Sequence, residues 1–256
     1  MAVALGDFDI RSESFRRIRR QVLVSRTSGP PVIIMHEIFG VTKPVIEFCR
    51  SIAAAGYQVW VPVLFGSTEP KAGTLAKVER FARFVCVAHE FRIFSANKSG
   101  PWADWLRDLV AKVCEKSGSN RVGVIGLCLT GNFVLAMAQD RRVQAPVMGE
   151  PSLPFFRPRE LHTSWAELDA VKARIADPGD GLIVRGYRYT TDTICSQAKF
   201  DRLSEELGCG FIGQSIPANE KLHSVFTDLR DANNNLRHDK VDEVITFLHE
   251  RLRSHK

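Results

Sequence analysis

The chain lacks any apolar run close to the roughly 18–20 residues that a membrane-spanning helix needs. Its apolar start, Met1–Leu5, is too short for the hydrophobic part of a secretory signal, and Asp7 and Asp9 follow at once. These absences exclude the common membrane and secretory patterns. We therefore expect a protein without a membrane partner, located in the cytoplasm.

The chain also lacks paired cysteines. No two of its six cysteines form a C-x-x-C motif, which argues against both a disulfide framework and a structural zinc site. Scattered thiols fit a reducing compartment, and five of the six are expected to be packing residues. The cysteines are Cys49, Cys86, Cys114, Cys128, Cys195 and Cys209.

No internal repeat, low-complexity tract or linker divides the 256 residues, so we predict one domain over residues 1–256. Hydrophobic residues make up 45%, enough for a large core. The net charge is +6, and an early arginine cluster supplies much of it. Such a cluster is either a nucleic-acid patch or a solvated face of an outer strand. Without an interleaved aromatic platform or a known binding motif, we favour the solvated face and expect no nucleic-acid partner. The cluster is Arg11, Arg16, Arg17, Arg19 and Arg20.

Short apolar segments alternate with amphipathic ones, which predicts an α/β fold with a mainly parallel sheet and helices on both faces. Residues 1–20 are expected to form an arm or an outer strand, and Gln21–Ser25 an outer strand. The other predicted strands are Val32–Met35, Tyr57–Val63, Val122–Ile125, Ala145–Met148, Leu182–Gly186 and Gly210–Gln214. The predicted helices are Val45–Ala55, Leu75–His89, Trp102–Lys116, Asn132–Gln139, Trp165–Ala176, Ser196–Leu207 and Val241–Leu252.

One stretch, Arg121–Gly131, combines a buried strand with a sharp turn into a helix. Its turn reads Gly-Leu-Cys-Leu-Thr-Gly, with Cys128 where G-x-S-x-G hydrolases carry the nucleophilic serine. The start of a helix favours a thiolate, because the helix dipole stabilises negative charge there. We interpret Cys128 as a nucleophile; the alternative is a packed thiol in a tight turn.

Two further residues follow later strands in the order that such hydrolases use, nucleophile, then acid, then histidine. Asp192 follows the strand Leu182–Gly186, and His223 follows Gly210–Gln214. His223 would exchange a proton with Cys128, and Asp192 would orient the imidazole. The serious rival to His223 is His238, and the rivals to Asp192 are Asp177 and Asp180, which look like turn residues.

Two backbone N–H groups are also predicted to bind the oxyanion that forms when the nucleophile attacks a carbonyl carbon. The first is the N–H of Leu129, the residue after the nucleophile. The second is the N–H of Ile38, in the loop after Val32–Met35. Glu37 lies in the same loop, where a carboxylate at an apolar strand end needs a partner or caps the next turn.

On these residues the sequence resembles the dienelactone hydrolase family. The resemblance rests on His36–Val41, on Gly126–Gly131, and on the positions of Asp192 and His223. It implies a single-domain α/β-hydrolase fold and a Cys-His-Asp triad, with Glu37 contacting the resting thiol and helping to deprotonate it. It further implies hydrolysis of a small ester or lactone through an acyl-cysteine intermediate, without a metal or organic cofactor.

The sequence departs from this family at two motif positions. His36 stands where a glutamine is common, and Thr130 stands where a glycine is usual. Arginines that could hold a substrate carboxylate are Arg80, Arg83, Arg92 and Arg188. We favour a cysteine-dependent carboxylic ester hydrolase. The alternative is a non-catalytic protein of the same fold that binds a ligand or senses oxidants through Cys128.

Overall fold

A computed structural model describes residues 5–64, 100–152, 159–228 and 239–253 of the chain. Several sequence predictions lie outside these ranges. They are the helix Leu75–His89, the candidate arginines Arg80, Arg83 and Arg92, the rival histidine His238, and Cys86.

The described residues are built around one eight-stranded sheet. Its spatial order is β1-β2-β4-β3-β5-β6-β7-β8. Strands β3 to β8 pair in parallel, whereas β1 and β2 run antiparallel at one edge. The strands are β1 (Phe8–Phe15), β2 (Ile18–Ser25), β3 (Pro31–Met35), β4 (Gln58–Pro62), β5 (Val122–Leu127), β6 (Val143–Gly149), β7 (Val184–Tyr189) and β8 (Phe211–Ile216).

Helices cover both faces of this sheet, as the sequence predicts. They are α1 (Lys43–Ala54), α2 (Pro101–Ser117), α3 (Phe133–Ala138), α4 (Trp165–Ala176), α5 (Gln197–Leu207) and α6 (Asp239–Leu252), with 3-10 turns at Cys128–Asn132 and Gly208–Gly210. Side chains of one strand alternate between two apolar cores. In β3, Ile33 and Met35 join the core under α2–α5, while Val32 and Ile34 join the core under α1 and α6.

Residues Phe8–Phe15 form an outer strand and not an arm. Strand β1 pairs with β2 along its whole length, and Arg16 and Arg17 turn the hairpin with φ of 49° and 68°. Neither is a glycine or asparagine, so the turn gave little signal in the sequence. The Arg16 guanidinium contacts Asp108 at 2.7 Å and Asp104 at 3.0 Å on α2. Arg16, one member of the basic cluster, therefore has acidic partners within the fold.

Most predicted elements are present with ends shifted by one to three residues. Helix α4 has the predicted bounds, and Gly118 ends α2 in the left-handed conformation with φ of 64°. The helix after the elbow differs from the prediction Asn132–Gln139. A 3-10 turn over Cys128–Asn132 comes first, and α3 begins at Phe133.

Most of the described cysteines are buried, as the sequence predicts. Cys49, Cys114, Cys128 and Cys195 are buried and unpaired, but Cys209 is exposed in the second 3-10 turn, so the prediction of packing is wrong for that residue. Across the described ranges, no helix is long and apolar enough to cross a membrane. The same residues contain no group of three or more His, Cys, Asp and Glu side chains suited to a metal ion.

Candidate active site

Cys128 lies on a strained turn between β5 and the 3-10 turn. Its φ is 56°, which is left-handed and uncommon for a residue with a side chain. The tight turn also depends on Gly126, since a Cβ there would lie 2.5 Å from the Thr130 carbonyl oxygen. A Cβ on Gly131 would lie 3.0 Å from Pro151 Cα. Glycine at these positions lets the chain lift the Cys128 side chain at the carboxyl edge of the sheet.

Thr130 is part of this turn through its hydroxyl. Thr130 Oγ1 accepts the backbone N–H of Leu127 at 3.0 Å and lies 2.9 Å from the carbonyl oxygens of both Met35 and Leu127. The side chain is fully buried. A glycine cannot make these contacts, so threonine at this position joins the elbow to β3.

His223 lies between an acid and the cysteine. Its Nδ1 is 2.8 Å from Asp192 Oδ2, and its ring interacts with the Cys128 thiol. Burial disfavours the charged ring, but the interactions with Asp192 and Cys128 outweigh it and raise the pKa of His223 to about 11. The structure thus brings together the three residues that the sequence predicts from separate loops.

Asp192 is held in place from several sides. Besides the imidazole, its carboxylate accepts the backbone N–H groups of Ile194 at 2.8 Å and Cys195 at 2.9 Å through Oδ1. Arg188 donates to the Asp192 carbonyl oxygen at 3.2 Å and to the Cys195 carbonyl oxygen at 2.9 Å. Its remaining bonds go to Gln197 and Ser215. Arg188, a candidate for binding a substrate carboxylate, therefore supports the Asp192 loop.

The loop after β3 carries Glu37 and Ile38. The Glu37 carboxylate accepts a hydrogen bond from Thr227 Oγ1 at 2.6 Å, which links this loop to the segment that follows His223. His36 is fully buried; its Nε2 accepts the Leu64 N–H at 3.0 Å, and its Nδ1 lies 2.6 Å from the Glu37 carbonyl oxygen. This bonding requires a neutral imidazole with its proton on Nδ1.

Glu150 directly follows β6 and is fully buried beside the site. Its backbone is left-handed, with φ of 36°. Its Oε2 accepts the Val225 N–H at 2.9 Å, whereas Oε1 is buried without a hydrogen-bond partner among the described residues. Burial raises the pKa of Glu150 to about 8, with the His223 charge opposing the shift and the Glu37 charge adding to it.

The elbow is also supported from below by a buried polar chain. Lys199 Nζ donates to Asn132 Oδ1 at 2.6 Å, and Asn132 Nδ2 donates to the carbonyl oxygens of Leu129 at 2.8 Å and Ser152 at 2.6 Å. Burial lowers the pKa of Lys199 to about 7. This chain fixes the orientation of the peptide groups on either side of the nucleophile.

The other buried cysteines have ordinary surroundings for inert thiols. Burial raises the pKa of Cys114 to about 11 and the pKa values of Cys49 and Cys195 still higher. They stay protonated near neutral pH, and thiols react as thiolates. Of the buried cysteines, Cys128 is the one whose thiol interacts with His223.

The rival candidates have contacts elsewhere. Asp180 forms an ion pair with Arg174 at 2.7 Å, and Asp177 pairs with Arg141 at 2.8 Å. His249, in α6, bonds to the Tyr57 hydroxyl. His238 lies outside the described residues.

Sequence reasoning missed Thr227, Glu150 and Ser152. Glu150 and Ser152 follow β6, the neighbour of β5, and the rule that functional groups gather beyond strand ends could have found them. Thr227 gave no such signal.

Known proteins resemble this chain in sequence and in fold. One curated relative, named "Putative carboxymethylenebutenolidase", from Aquifex aeolicus (strain VF5), is 24% identical over 147 residues, which are 55% of this chain and 56% of that protein. The chain thus spans about half the length of the curated relative that it matches.

Solved structures are similar over nearly the whole chain. The "Putative Dienelactone Hydrolase" from Klebsiella pneumoniae subsp. pneumoniae MGH 78578 has a TM-score of 0.64 at 16% identity, covering 97% of this chain and 98% of that one. The dienelactone hydrolase from Anabaena variabilis ATCC 29413 has a TM-score of 0.61 at 13% identity, covering 96% and 98%. At these identities the likeness establishes the α/β-hydrolase fold. The family model "Dienelactone hydrolase family" matches residues 20–166, more than half of the sequence, and the chain therefore belongs to the dienelactone hydrolase family.

Proposed function

We propose that this protein hydrolyses a small ester or lactone with Cys128 as the nucleophile. His223 transfers the protons, and Asp192 orients the imidazole. The observation that carries the proposal is that His223 Nδ1 lies 2.8 Å from Asp192 Oδ2 while the His223 ring interacts with the Cys128 thiol. A nucleophile, a base and a third group that orients the base are the parts that covalent acyl transfer requires.

In the first half of the reaction, the Cys128 thiolate attacks the carbonyl carbon of the substrate. The carbon–sulfur bond forms as the carbonyl π electrons move to oxygen, giving a tetrahedral oxyanion. Collapse of this intermediate breaks the bond to the leaving oxygen, which takes the proton from His223 Nε2. The product of this half is an acyl-cysteine and an alcohol, or a single ring-opened chain for a lactone.

In the second half, water replaces the alcohol. His223 Nε2 accepts a proton from the water as its oxygen attacks the acyl carbon. The thiolate then leaves, the carboxylic acid product dissociates, and the thiolate–imidazolium pair is restored. Asp192 stabilises the charged ring in both halves and does not itself need to take the proton.

Two backbone N–H groups are the proposed donors to the oxyanion. Leu129 follows the nucleophile at the start of the 3-10 turn, where the first N–H groups have no acceptor within the turn. In the described part of the chain, no hydrogen bond uses the Ile38 N–H. His36 and Gly40 both bond to the Glu37 carbonyl oxygen, at 2.6 Å and 3.0 Å. Since that carbonyl and the Ile38 N–H belong to one planar peptide, these bonds fix the direction of the N–H.

Glu37 is proposed to act on the resting thiol, as the family resemblance implies. Its present partner is the Thr227 hydroxyl at 2.6 Å, and the carboxylate would have to exchange that bond when it assists Cys128. The family name and the curated relative's name both point to a lactone or related ester as the substrate class. The substrate is thus a small molecule, and the chemistry requires no metal.

A panel of activated esters and lactones tests the proposal. Wild type is expected to hydrolyse p-nitrophenyl esters or dihydrocoumarin, whereas Cys128→Ala is expected to lose at least about 10³-fold in kcat/KM. Cys209→Ser is the matched control, because Cys209 is the exposed cysteine of the second 3-10 turn. Rapid quenching with ester and mass spectrometry should map an acyl group to Cys128.

Two results would contradict the proposal. Equal turnover by wild type and Cys128→Ala would exclude Cys128 as the nucleophile. Rapid modification of Cys128 by iodoacetamide or peroxide, without turnover or acylation across the whole panel, would favour the alternative of a ligand-binding or redox-sensing protein.

A further inference from the structure

Leu129, the residue after Cys128, has the carbonyl groups on both sides of its N–H held by hydrogen bonds. The Cys128 carbonyl oxygen accepts the Ser152 N–H at 3.1 Å, and the Leu129 carbonyl oxygen accepts from Asn132 Nδ2 at 2.8 Å. In a planar trans peptide the C=O and N–H bonds point in opposite directions. The bond to the Cys128 oxygen therefore fixes the direction of the Leu129 N–H, which has no acceptor within the 3-10 turn.

Asn132 also holds Ser152, the donor in the first of these bonds. The same Nδ2 donates to the Ser152 carbonyl oxygen at 2.6 Å, so one amide group joins the 3-10 turn to the loop after β6. The Ser152 hydroxyl lies 2.7 Å from the Glu150 carbonyl oxygen and 3.2 Å from His223 Nε2. Ser152 and Asn132 are both buried, so protein groups rather than solvent set the position of this loop.

Lys199 determines which way the Asn132 amide faces. Its Nζ donates to Asn132 Oδ1 at 2.6 Å. A side-chain amide has one accepting oxygen and one nitrogen with two hydrogens, and carbonyl oxygens can only accept. Both amide hydrogens are therefore used, one on Leu129 and one on Ser152, while the oxygen is used by Lys199. A flipped amide would lose the bonds to both carbonyl oxygens.

The burial of Lys199 is costly. The side chain is 1% exposed, and its Nζ forms no ion pair with any carboxylate of the described residues. Burial of an ammonium group without a carboxylate is unfavourable, and it lowers the pKa of Lys199 to about 7. An apolar side chain of the same length would avoid this cost. The bond to Asn132 is what a lysine adds at this position.

We propose that Asn132, oriented by Lys199, is a positioning residue that holds the Leu129 N–H toward the oxyanion of the substrate. The inference rests on the proposed function, in which that N–H binds the oxyanion. Asn132 and Lys199 exchange no proton during turnover. Their bonds exist before charge develops on the substrate, so the donor needs no reorganisation when the oxyanion forms.

Two reactions of Cys128 distinguish an effect on the oxyanion from an effect on the thiol. Acylation by p-nitrophenyl acetate forms a tetrahedral oxyanion, whereas alkylation by iodoacetamide displaces iodide from a saturated carbon and forms none. A thiolate reacts in both cases, so the ratio of the two rates does not depend on how much of Cys128 is ionised. Burst kinetics measure acylation, and peptide mass spectrometry measures alkylation of Cys128.

The Asn132 variants should lose acylation selectively. Asn132→Leu removes the amide, and we expect acylation to slow by about 10–100-fold, part of the roughly 10²–10³-fold effect of losing an entire oxyanion donor. Asn132→Asp keeps an oxygen for Lys199 but cannot donate to the two carbonyl oxygens, so it should show the same loss. Alkylation should stay close to the wild-type rate in both variants.

Two further variants complete the test. Lys199→Met leaves the Asn132 amide without its fixing partner and should slow acylation by roughly 3–10-fold, again with little effect on alkylation. Ser25→Ala is the matched control. Ser25 is a buried hydroxyl on β2, away from the carboxyl edge of the sheet, and accepts the Val59 N–H at 2.9 Å. Its loss should leave the ratio of the two rates unchanged.

The outcomes separate this inference from the proposed function. An unchanged ratio in the Asn132 variants, with both reactions slowed equally or neither slowed, would overturn the role of Asn132 and leave the nucleophile intact. A wild type that is alkylated at Cys128 but acylated by no ester would overturn the proposed function and the inference with it. If the Asn132 variants do not fold, Lys199→Met decides: a selective loss of acylation supports the inference, and an unchanged ratio overturns it.

Discussion

The hydroxyl of Thr130 lies 2.9 Å from the carbonyl oxygen of Met35, at the carboxyl end of the neighbouring strand β3. Thr130 Oγ1 also accepts the Leu127 N–H at 3.0 Å. One side chain thus joins the two loops that carry the proposed nucleophile and the proposed oxyanion donor.

Replacing this hydroxyl should destabilise the fold. Thr130→Val keeps the shape but leaves buried backbone groups of Leu127 and Met35 unpaired, and we expect a loss of about 1–3 kcal/mol in the free energy of unfolding. Urea denaturation measures it. Thr130→Ser should lose much less because the hydroxyl remains, and an unchanged midpoint for the valine variant would contradict the prediction.

Asp192→Asn should impair turnover much more than binding. The amide cannot stabilise the imidazolium as a carboxylate does, so we expect kcat to fall roughly 10²–10⁴-fold with KM little changed. Steady-state kinetics with an activated ester measure both constants. Asp177→Asn, at a surface turn paired with Arg141, is the control, and comparable activity of the two variants would exclude the assigned role.

His36 should affect turnover because it bonds to the peptide group between Glu37 and Ile38. His36→Leu removes the donor to the Glu37 carbonyl oxygen, and a freer Ile38 N–H should lower kcat by about 10–10³-fold. His36→Gln, with an amide that can still donate, should retain more activity. Thermal unfolding of both variants is measured alongside, and full activity of a folded leucine variant would argue against Ile38 as an oxyanion donor.

Glu150 should make stability depend on pH. Its folded pKa is raised to about 8, above the ordinary value of 4.5, so between these values the folded state binds the extra proton. The stability that the protonated form contributes is complete below pH 4.5 and is lost as the pH rises through 8, by up to about 1.4 kcal/mol per pH unit.

Glu150→Gln tests this dependence without changing the shape. The amide oxygen can still accept the Val225 N–H, and the amide does not titrate. Relative to wild type, the variant should therefore gain stability between pH 5 and pH 8 in urea denaturation. A constant difference over that range would show that Glu150 does not titrate there.

The fold was largely predictable because its elements follow local patterns. The apolar run Val32–Met35 and the capping Gly118 mark their elements without reference to the rest of the chain. Cys128, Asp192 and His223 were predictable as a group because their order along the chain follows the order of the strands. The hairpin turn at Arg16 and Arg17 could not be predicted. Pairing along β1 and β2 holds these residues in a left-handed conformation that they do not favour alone.

The partners of the site residues are a different case. These partners contact loops that are far apart from them in sequence, and no local sequence pattern predicts such contacts. They are Ser152, Thr227 and Glu150. Thr130 departs from the family pattern. Its structural role could not be predicted, because its hydroxyl contacts Met35, 95 positions away in sequence.

The left-handed backbone of Cys128, with φ of 56°, has a consequence for how this protein can change. A glycine would adopt that conformation freely, whereas a residue with a Cβ costs about 1–2 kcal/mol. Cys128→Gly is then a single substitution that relaxes the turn and removes the thiol together. Selection for thermal stability alone would therefore favour Cys128→Gly. That change would remove the thiol of the proposed nucleophile.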